Sequence, residues 1–400
     1  MPNNIIPIPD NELERLIGLS NLDFDYTNQE DNFQELTLLA AKVAGTEISL
    51  INIIDSYTQW SVSGHGMDLG QCPREDSVCQ YTIMSDQPFE VTDLTLDERF
   101  NYRDFVKGPL NLRYYYGVPL QISRGVNIGS LCLIDTEKKT LTPEKVELLN
   151  IIAESIVKRL KSLRALEILR TKFNESNESR KKVAHDIRGP LSGIIGLTEI
   201  LSDEDIINDP QQLKEIVTMI NKSSRTLLDL ADEILSDGSH KPLNENQFDL
   251  AMFKDKLEKL YAPQALYKNV NINFLVDSAN AGIPFGKNKL LQIAGNLISN
   301  AIKFTPASGK IDVYLSLIIS TEEKLLKILV TDTGVGIDAA SINNIIVGKS
   351  ETSLGTKGER GYGFGLSLVS HLVESLNGKM SISSTPGQGS SFEVILPQSL

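Results

Sequence analysis

The chain is poor in the residues that most often fix a fold by covalent or aromatic means. Its 400 residues include three cysteines and one tryptophan, and aromatic residues make up 6%. Three thiols cannot form a disulfide framework. The spacing of Cys72 and Cys79 in GQCPREDSVCQ, with Cys132 far downstream, fits no metal-ligand pattern, so all three are expected as core or loop residues in a reducing compartment. No apolar run approaches a membrane span, and MPNNIIPIPDNELERL has neither the basic flank nor the apolar stretch of a signal peptide. The expected location is the cytoplasm, with no membrane span. Positive charge is scarce as well: the formal net charge is -13 and Lys and Arg form no clustered stripe, which sets nucleic-acid binding aside. A GxxxxGK[ST] loop is missing, and the glycines at 361, 363 and 365 lack the GxGxxG spacing of a dinucleotide fold.

What is present suffices for several cores. Hydrophobic residues make up 41% of the chain, and its length suits three domains, placed here at residues 1–159, 160–240 and 241–400. In the first, EISLINIID, QWSVSG, YYYGVPLQI and SLCLID read as sheet segments, an α/β pattern. A helix opens at Thr142-Pro143, where the threonine can cap and the proline loses no amide bond, and continues through VELLNIIAESIVKRL. The run QWSVSGHGMDLGQCPREDSVCQYTI, then GVPL, GSLCLID and LTPEKVELL, resembles a GAF domain over roughly residues 20 to 160. That resemblance implies a sheet of about six antiparallel strands that senses a small molecule or dimerises; the ligand or signal partner stays unknown. Cys79 lacks the context of covalent bilin attachment, and His65 and Trp60 are pocket-side candidates for which turn and core packing are the simpler reading.

Between residues 166 and 201, Leu166, Leu169, Phe173, Val183, Ile187, Ile194, Leu197 and Leu201 share one alternating four-and-three register, a bundle seam interrupted by Ser176, Arg180 and Pro190. His185 lies two residues from the nearer seam positions and therefore projects outward, followed by Asp186, while Pro190 invites a kink one turn on. A second helix should open at Asp209-Pro210 and run to about Ser236, with a seam at Leu213, Val217, Ile220, Leu227, Ala231 and Ile234. Two such helices cannot bury both seams alone, so the expectation is an antiparallel hairpin that forms a four-helix bundle in a homodimer.

A second α/β pattern starts near Phe248. In KLLQIAGNLISNAIKF, Asn296, Asn300 and Lys303 recur at four- and three-residue steps and share one helix face. KILVTDTGVGI reads as a strand ending at Asp332, with Gly334 and Gly336 allowing close backbone approach. Residues 341–359 are polar and glycine-rich, as a mobile lid would be. Gly361, Gly363 and Gly365 then lead into LSLVSHLVESL, offering free amide hydrogens and a positive dipole end to phosphate.

The ordered set KKVAHDIRGPL, NLISNAIKFTP, VTDTGVGI and GYGFGLSLV resembles the sensor histidine kinases, in which a HisKA-type dimerising histidine helix precedes a GHKL ATP-binding domain of α/β sandwich (Bergerat) architecture. The resemblance implies ATP and Mg²⁺ as cofactors, His185 as phosphate acceptor with Asp186 beside it, and Asn300 as the principal Mg²⁺ ligand. It puts Asn296 and Lys303 beside the phosphates, Asp332 on the adenine amino group, and Gly334, Gly336, Lys357, Gly361, Gly363 and Gly365 around the nucleotide. It implies autophosphorylation and transfer to an aspartate of a separate response regulator, since this sequence contains no receiver-like segment. INNIIVG replaces the usual phenylalanine-bearing segment before the lid, so Ile345 and Ile346 would anchor it; His371 and His240 match no family function. The position three residues beyond Asp186, where relatives that dephosphorylate their regulator carry Thr or Asn, is Gly189, so weak phosphatase activity is expected. Two other readings stay open at this point: a silent scaffold or pseudokinase that signals by conformation, and an ATP-driven clamp. The sequence does not decide the regulator, the sign of the signal, or transfer within against between protomers.

Overall fold

The structure, a computed structural model, describes residues 7–23, 25–26, 30–200, 210–236, 247–287, 289–320, 323–338, 341–342, 355–356 and 363–398. Within its helices, the side chains at 174–186, 188–190, 193, 200, 210, 212–213, 226 and 229–236 lie outside that description. Contacts divide the chain into two units, Met1–Arg164 together with Phe248–Leu400, and Ala165–Gln247.

The first unit holds two sheets. The amino-terminal one has six strands, β1 (Ile48–Ile54), β2 (Thr58–His65), β3 (Gln71–Pro73), β4 (Phe89–Val91), β5 (Tyr114–Ser123) and β6 (Val126–Asp135), in the order β3-β2-β1-β6-β5-β4 with every pairing antiparallel. The central strands β1 and β6 are buried at every position, which is why they read as nearly unbroken branched and apolar runs. Strand alternation sends Tyr114, Tyr116 and Val118 into one core and Tyr115 into the other. The first core is closed by α1 (Glu12–Leu22), α2 (Glu30–Ala44) and the opening turns of α5 (Pro143–Ile200), the second by the irregular segment that carries the one-turn helices α3 (Cys79–Thr82) and α4 (Asp104–Lys107).

Three charged side chains lie inside this architecture. Glu12, Arg15 and Arg74 are each 0% exposed. Arg15 Nη2 donates to Glu12 Oε1 at 2.7 Å and Arg74 Nη1 to the same oxygen at 2.5 Å, while Arg15 Nη1 reaches the carbonyl of Ile54 at 2.6 Å. The Arg74 amide donates to the carbonyl of Tyr57 at 2.8 Å. The ion triad thus ties α1 to the turn between β1 and β2. Burial by itself would raise the Glu12 pKa, but the two guanidinium groups outweigh it and lower the value to about 2.

The second sheet is mixed. It comprises β8 (Asn271–Val276), β10 (Lys310–Ile319), β11 (Lys324–Asp332), β12 (Lys379–Thr385) and β13 (Gly389–Gln398), ordered β12-β13-β11-β10-β8, with only β10 and β8 parallel; β7 (Gln247–Phe248) and β9 (Phe285–Gly286) are two-residue strands. Helices α7 (Leu250–Lys268), α8 (Leu290–Phe304) and α9 (Gly365–Ser375) share the apolar core of this sheet, and α8 is buried at every position from Gln292 to Lys303. Asp249 caps α7 by accepting from the Met252 amide at 2.7 Å, and Asn269 ends it in the left-handed conformation. Helix α9 is closed by Gly378, whose amide donates to the carbonyl of Val373 at 2.8 Å.

The second unit consists of the later turns of α5 and of α6 (Pro210–Ser236), which begins at the proline the sequence marks. The backbone of α5 stays helical through Pro190 to Ile200, so the proline does not end the helix. Of the expected seam, Leu169 and Phe173 are 61% and 66% exposed within a single chain. The loop expected at residues 202–208 lies outside the described residues. Among the described residues, no helix is long and apolar enough to cross a membrane.

Replacing Glu12 with alanine leaves two guanidinium groups buried without their counter-ion, and should lower unfolding stability by about 3–5 kcal/mol, read by urea titration. Because the folded pKa is depressed from 4.5 to about 2, the carboxylate's contribution is present above pH 4.5 and is lost as the pH falls through that window; the alanine variant should lack this part of the acid dependence.

Candidate functional site: a buried polar cleft between α8 and β11

Helix α8 is buried all round, yet Asn296, Asn300 and Lys303 lie on it at 3%, 5% and 6% exposure. A solvated polar face is therefore not their explanation. Buried polar side chains normally find partners, and an exception points to a missing one. Asn296 Nδ2 donates to the carbonyl of Gln292 at 2.8 Å, while its Oδ1 has no partner; Asn300 Nδ2 has none either. A half-turn of the Asn300 amide exchanges its nitrogen and oxygen, so either asparagine can offer a carbonyl. Hard oxygen donors of this kind fit Mg²⁺ bound with phosphate, and the ammonium of Lys303, 4.4 Å from the Phe304 ring centroid, supplies positive charge nearby.

The opposite wall is the end of β11. Asp332 is buried, and its Oδ1 accepts from the amides of Gly334 at 2.8 Å and Ser390 at 3.3 Å. Burial raises its pKa above the ordinary 3.8, and those two amides offset the rise only in part. Gly334 is required by space: a Cβ there would stand 2.6 Å from Asp332 Oδ1. Gly336 is required by conformation, since its φ of 70° lies in the left-handed region and Thr385 closes over it.

Gly363, with φ of 77°, and Gly365 lead into α9, and a Cβ at Gly365 would come within 3.1 Å of Asn296 Oδ1. The amino-terminal end of α9 and the asparagine helix are thus neighbours. Of the expected lid, Thr356 is described: its amide and hydroxyl bond to the carbonyls of Lys303 at 3.2 Å and Thr305 at 3.0 Å. Lys357, Gly361, Ile345, Ile346 and His240 lie outside the described residues, as do the side chains of His185 and Asp186, whose backbone is part of α5. The structure brings together Asn296, Lys303 and Gly365, and sets Asp332, Gly334 and Gly336 at the end of the neighbouring strand. His371 and His65 are exposed, and Trp60 is a packed core residue stacked on Tyr26 at 5.1 Å, which leaves the pocket reading of His65 and Trp60 without support.

Sequence reasoning missed a residue from the other sheet. Tyr57, in the β1–β2 turn, sits against this cleft: a Cβ at Gly365 would be 2.6 Å from its Oη, and Lys303 Nζ lies 6.0 Å from its ring centroid. No local pattern in DSYTQW signals that placement.

An α/β sandwich with a buried asparagine helix, a glycine-flanked carboxylate and a glycine lead-in to a helix defines a nucleotide-binding class of domain. Residues 286–400 match the family described as histidine kinase-, DNA gyrase B-, and HSP90-like ATPase, and residues 181–241 match the His Kinase A (phospho-acceptor) domain. Among curated proteins, the chain is similar to the cyclic di-GMP phosphodiesterase PA2567 of Pseudomonas aeruginosa, at 33% identity over 198 residues, covering 49% of this chain and 33% of that protein. It is similar to the autoinducer 2 sensor kinase/phosphatase LuxQ of Vibrio vulnificus, at 33% over 224 residues, covering 54% of this chain and 26% of that one. The sensor protein GacS of Pseudomonas syringae is 33% identical over 243 residues, 58% of this chain and 26% of its own length. The chain thus spans between 26% and 33% of the length of these relatives. The two matched segments thus place a phospho-acceptor domain before an ATPase-type domain on this chain.

If Asp332 accepts a hydrogen bond from a nucleotide base, its carboxylate form makes the stronger, charge-assisted bond. Binding of a nonhydrolysable Mg-ATP analogue should then weaken on acidification, starting at a higher pH than for an ordinary aspartate, in the direction of the raised pKa. Asp332→Asn should lower affinity by about tenfold or more at neutral pH, as loss of a charged hydrogen bond does. Its unfolding stability at that pH should be equal or higher, because ionisation of a group with a raised pKa opposes folding. Calorimetry for binding and urea unfolding for stability separate the two effects.

Proposed function

We propose that this chain is a sensor histidine kinase that moves the γ-phosphoryl group of ATP to His185 and then to an aspartate of a separate response regulator. The observation that carries the reading is the pair of buried amide atoms without partners on α8, Asn296 Oδ1 and Asn300 Nδ2, on the same chain as a phospho-acceptor segment that contains His185. Three domains share the work in this proposal: a GAF-type sensor at residues 1–159, a dimerisation and phosphotransfer hairpin at 160–240, and a GHKL-type catalytic domain at 241–400. The six-stranded antiparallel sheet backed by helices is the architecture a GAF-type assignment needs. The exposed Leu169 and Phe173 suit a second copy of the hairpin, hence a homodimer.

In the reaction, Asn300 holds Mg²⁺, with Asn296 and Lys303 beside the phosphates and Asp332 on the adenine amino group. Magnesium, when bound, supplies charge neutralisation on the phosphate oxygens. Gly334 and Gly336 admit the base, and Lys357, Gly361, Gly363 and Gly365 line the phosphates with amide hydrogens and charge. An unprotonated ring nitrogen of His185 forms the new bond to phosphorus as the bond from phosphorus to the bridging oxygen breaks and ADP leaves. Asp186 orients the ring or takes the proton from its other nitrogen. The phosphoramidate so formed is reactive enough to pass its phosphoryl group to a carboxylate.

Incubation with Mg-ATP should label the chain with acid-labile, base-stable phosphate. His185→Gln should abolish the label while keeping nucleotide binding, and Asn300→Ala should reduce it by at least about a hundredfold, since it removes the proposed metal ligand. Nucleotide hydrolysis that survives His185→Gln at the wild-type rate, with no labelling of either protein, would favour a clamp-type ATPase. Because Gly189 stands where a water-positioning Thr or Asn would be, adding the protein with ADP to a phosphorylated regulator should change that regulator's half-life by less than about twofold.

A further inference from the structure

The first sheet and the nucleotide cleft share one continuous apolar core, and the contact between them is built from specific groups. The Trp60 ring meets Tyr261 of α7 edge-on at 6.1 Å. Gln264 on the same helix donates to Gln71 at 2.8 Å, and Gln71 donates onward to the carbonyl of Leu260 at 3.1 Å. At the end of α1, Asp23 accepts from the Lys289 amide at 3.0 Å, Asn21 accepts from the Lys289 ammonium at 3.2 Å, and Asp25 pairs with Lys256. Helix α1 also packs on α9.

This interface delivers Tyr57 to one place. Its ring and hydroxyl fill the space in front of Gly365, next to Asn296 Oδ1, and face the ammonium of Lys303. Those three residues form the proposed phosphate side of the cleft. The turn that carries Tyr57 is held at its base by Arg74 and, through Glu12, by Arg15. The low exposure of Asn296 and Lys303 follows in part from this neighbour.

We infer that the first sheet is an intramolecular competitor of ATP: its β1–β2 turn docks Tyr57 on the nucleotide face, and phosphate reaches Asn296, Lys303 and Gly365 only when that face separates from the sheet. The inference rests on the assignment of this cleft as the nucleotide site. A tyrosine phenol suits the place chemically, since its aromatic face can receive the lysine cation and its hydroxyl can meet polar neighbours that otherwise await phosphate. The apparent nucleotide affinity of the closed chain is then the intrinsic affinity reduced by the fraction of molecules that are open. A ligand of the first sheet raises that fraction only if it binds the separated form more tightly.

The test titrates the full chain with a nonhydrolysable ATP analogue and Mg²⁺ by calorimetry. Tyr57→Ala removes the plug, while Lys256→Asp breaks the interface at a half-exposed ion pair, and the double variant Lys256→Asp with Asp25→Lys restores that pair with its charges exchanged. Tyr57→Ala and Lys256→Asp should each tighten binding by about tenfold or more, and the double exchange should return the dissociation constant towards the wild-type value. Asn300→Ala is measured in the same series. If it abolishes binding while Tyr57→Ala and Lys256→Asp both leave the constant within about twofold of wild type, the competition is wrong and the site stands. If Asn300→Ala and Asp332→Asn bind as tightly as wild type, the site assignment falls and the competition with it. Should Tyr57→Ala fail to fold, the charge exchange decides alone, because Lys256 pairs with Asp25 and is none of the residues assigned to the cleft.

Discussion

A carboxylate shared by two guanidinium groups in a dry interior is the constraint on which much of this molecule rests. Removing Glu12, Arg15 and Arg74 from water costs several kcal/mol per ion, and that cost is offset only where the geometry is close and the remaining donors are satisfied. Here the guanidinium–carboxylate bonds run from 2.5 to 3.2 Å, and Arg15 and Arg74 also reach the backbone carbonyls of Ile54 and Asp55 at the β1–β2 turn. The triad therefore does more than join two helices or strands. It fixes the path of a turn that would otherwise move as surface loops do, and the residue at the tip of that turn is Tyr57.

The same tension between burial and polarity governs the cleft. A helix enclosed on all sides would be expected to carry only apolar residues, and α8 does so at Leu290, Ile293, Ala294, Leu297 and Ile298. Asn296, Asn300 and Lys303 break that rule, and the amide corners left without partners are an energetic debt that a bound polyanion and cation would remove. The glycines around the cleft serve approach in two ways: Gly334 because Asp332 and the end of α8 leave no room for a side chain, and Gly336 because its backbone is left-handed. With Tyr57 against Gly365, the cleft is arranged for a ligand while a group from the first sheet stands where part of it would go.

Much of the architecture was legible from local chemistry. Pro143 and Pro210 each stand at the first position of a helix, and the alternating and unbroken apolar runs of β1, β5 and β6 became the strands of the first sheet. The shared face of Asn296, Asn300 and Lys303 followed from helical spacing alone, and the position of Asp332 at a strand end from the apolar run and glycines of KILVTDTGVGI. Other features had no such signature. Glu12 and Arg15, three residues apart, carry no local sign of burial, because nothing near them shows that Arg74, 62 residues onward, will close the set. Pro190, expected to invite a kink, lies within a backbone that stays helical to Ile200.

What the sequence by itself determined is the order of the elements, the face on which the cleft's polar residues lie, and the chemistry those residues can offer. These follow from periodicity, capping and residue type, all of which act over a few neighbouring positions. Only the tertiary structure decided that the cleft's polar residues are buried, that α8 is enclosed on every side, and that the first sheet meets α7 through Gln71 and Trp60 and the cleft through Tyr57. Burial and competition for a site depend on which surfaces meet. That outcome is set by the summed fit of residues hundreds of positions apart, which no local pattern contains.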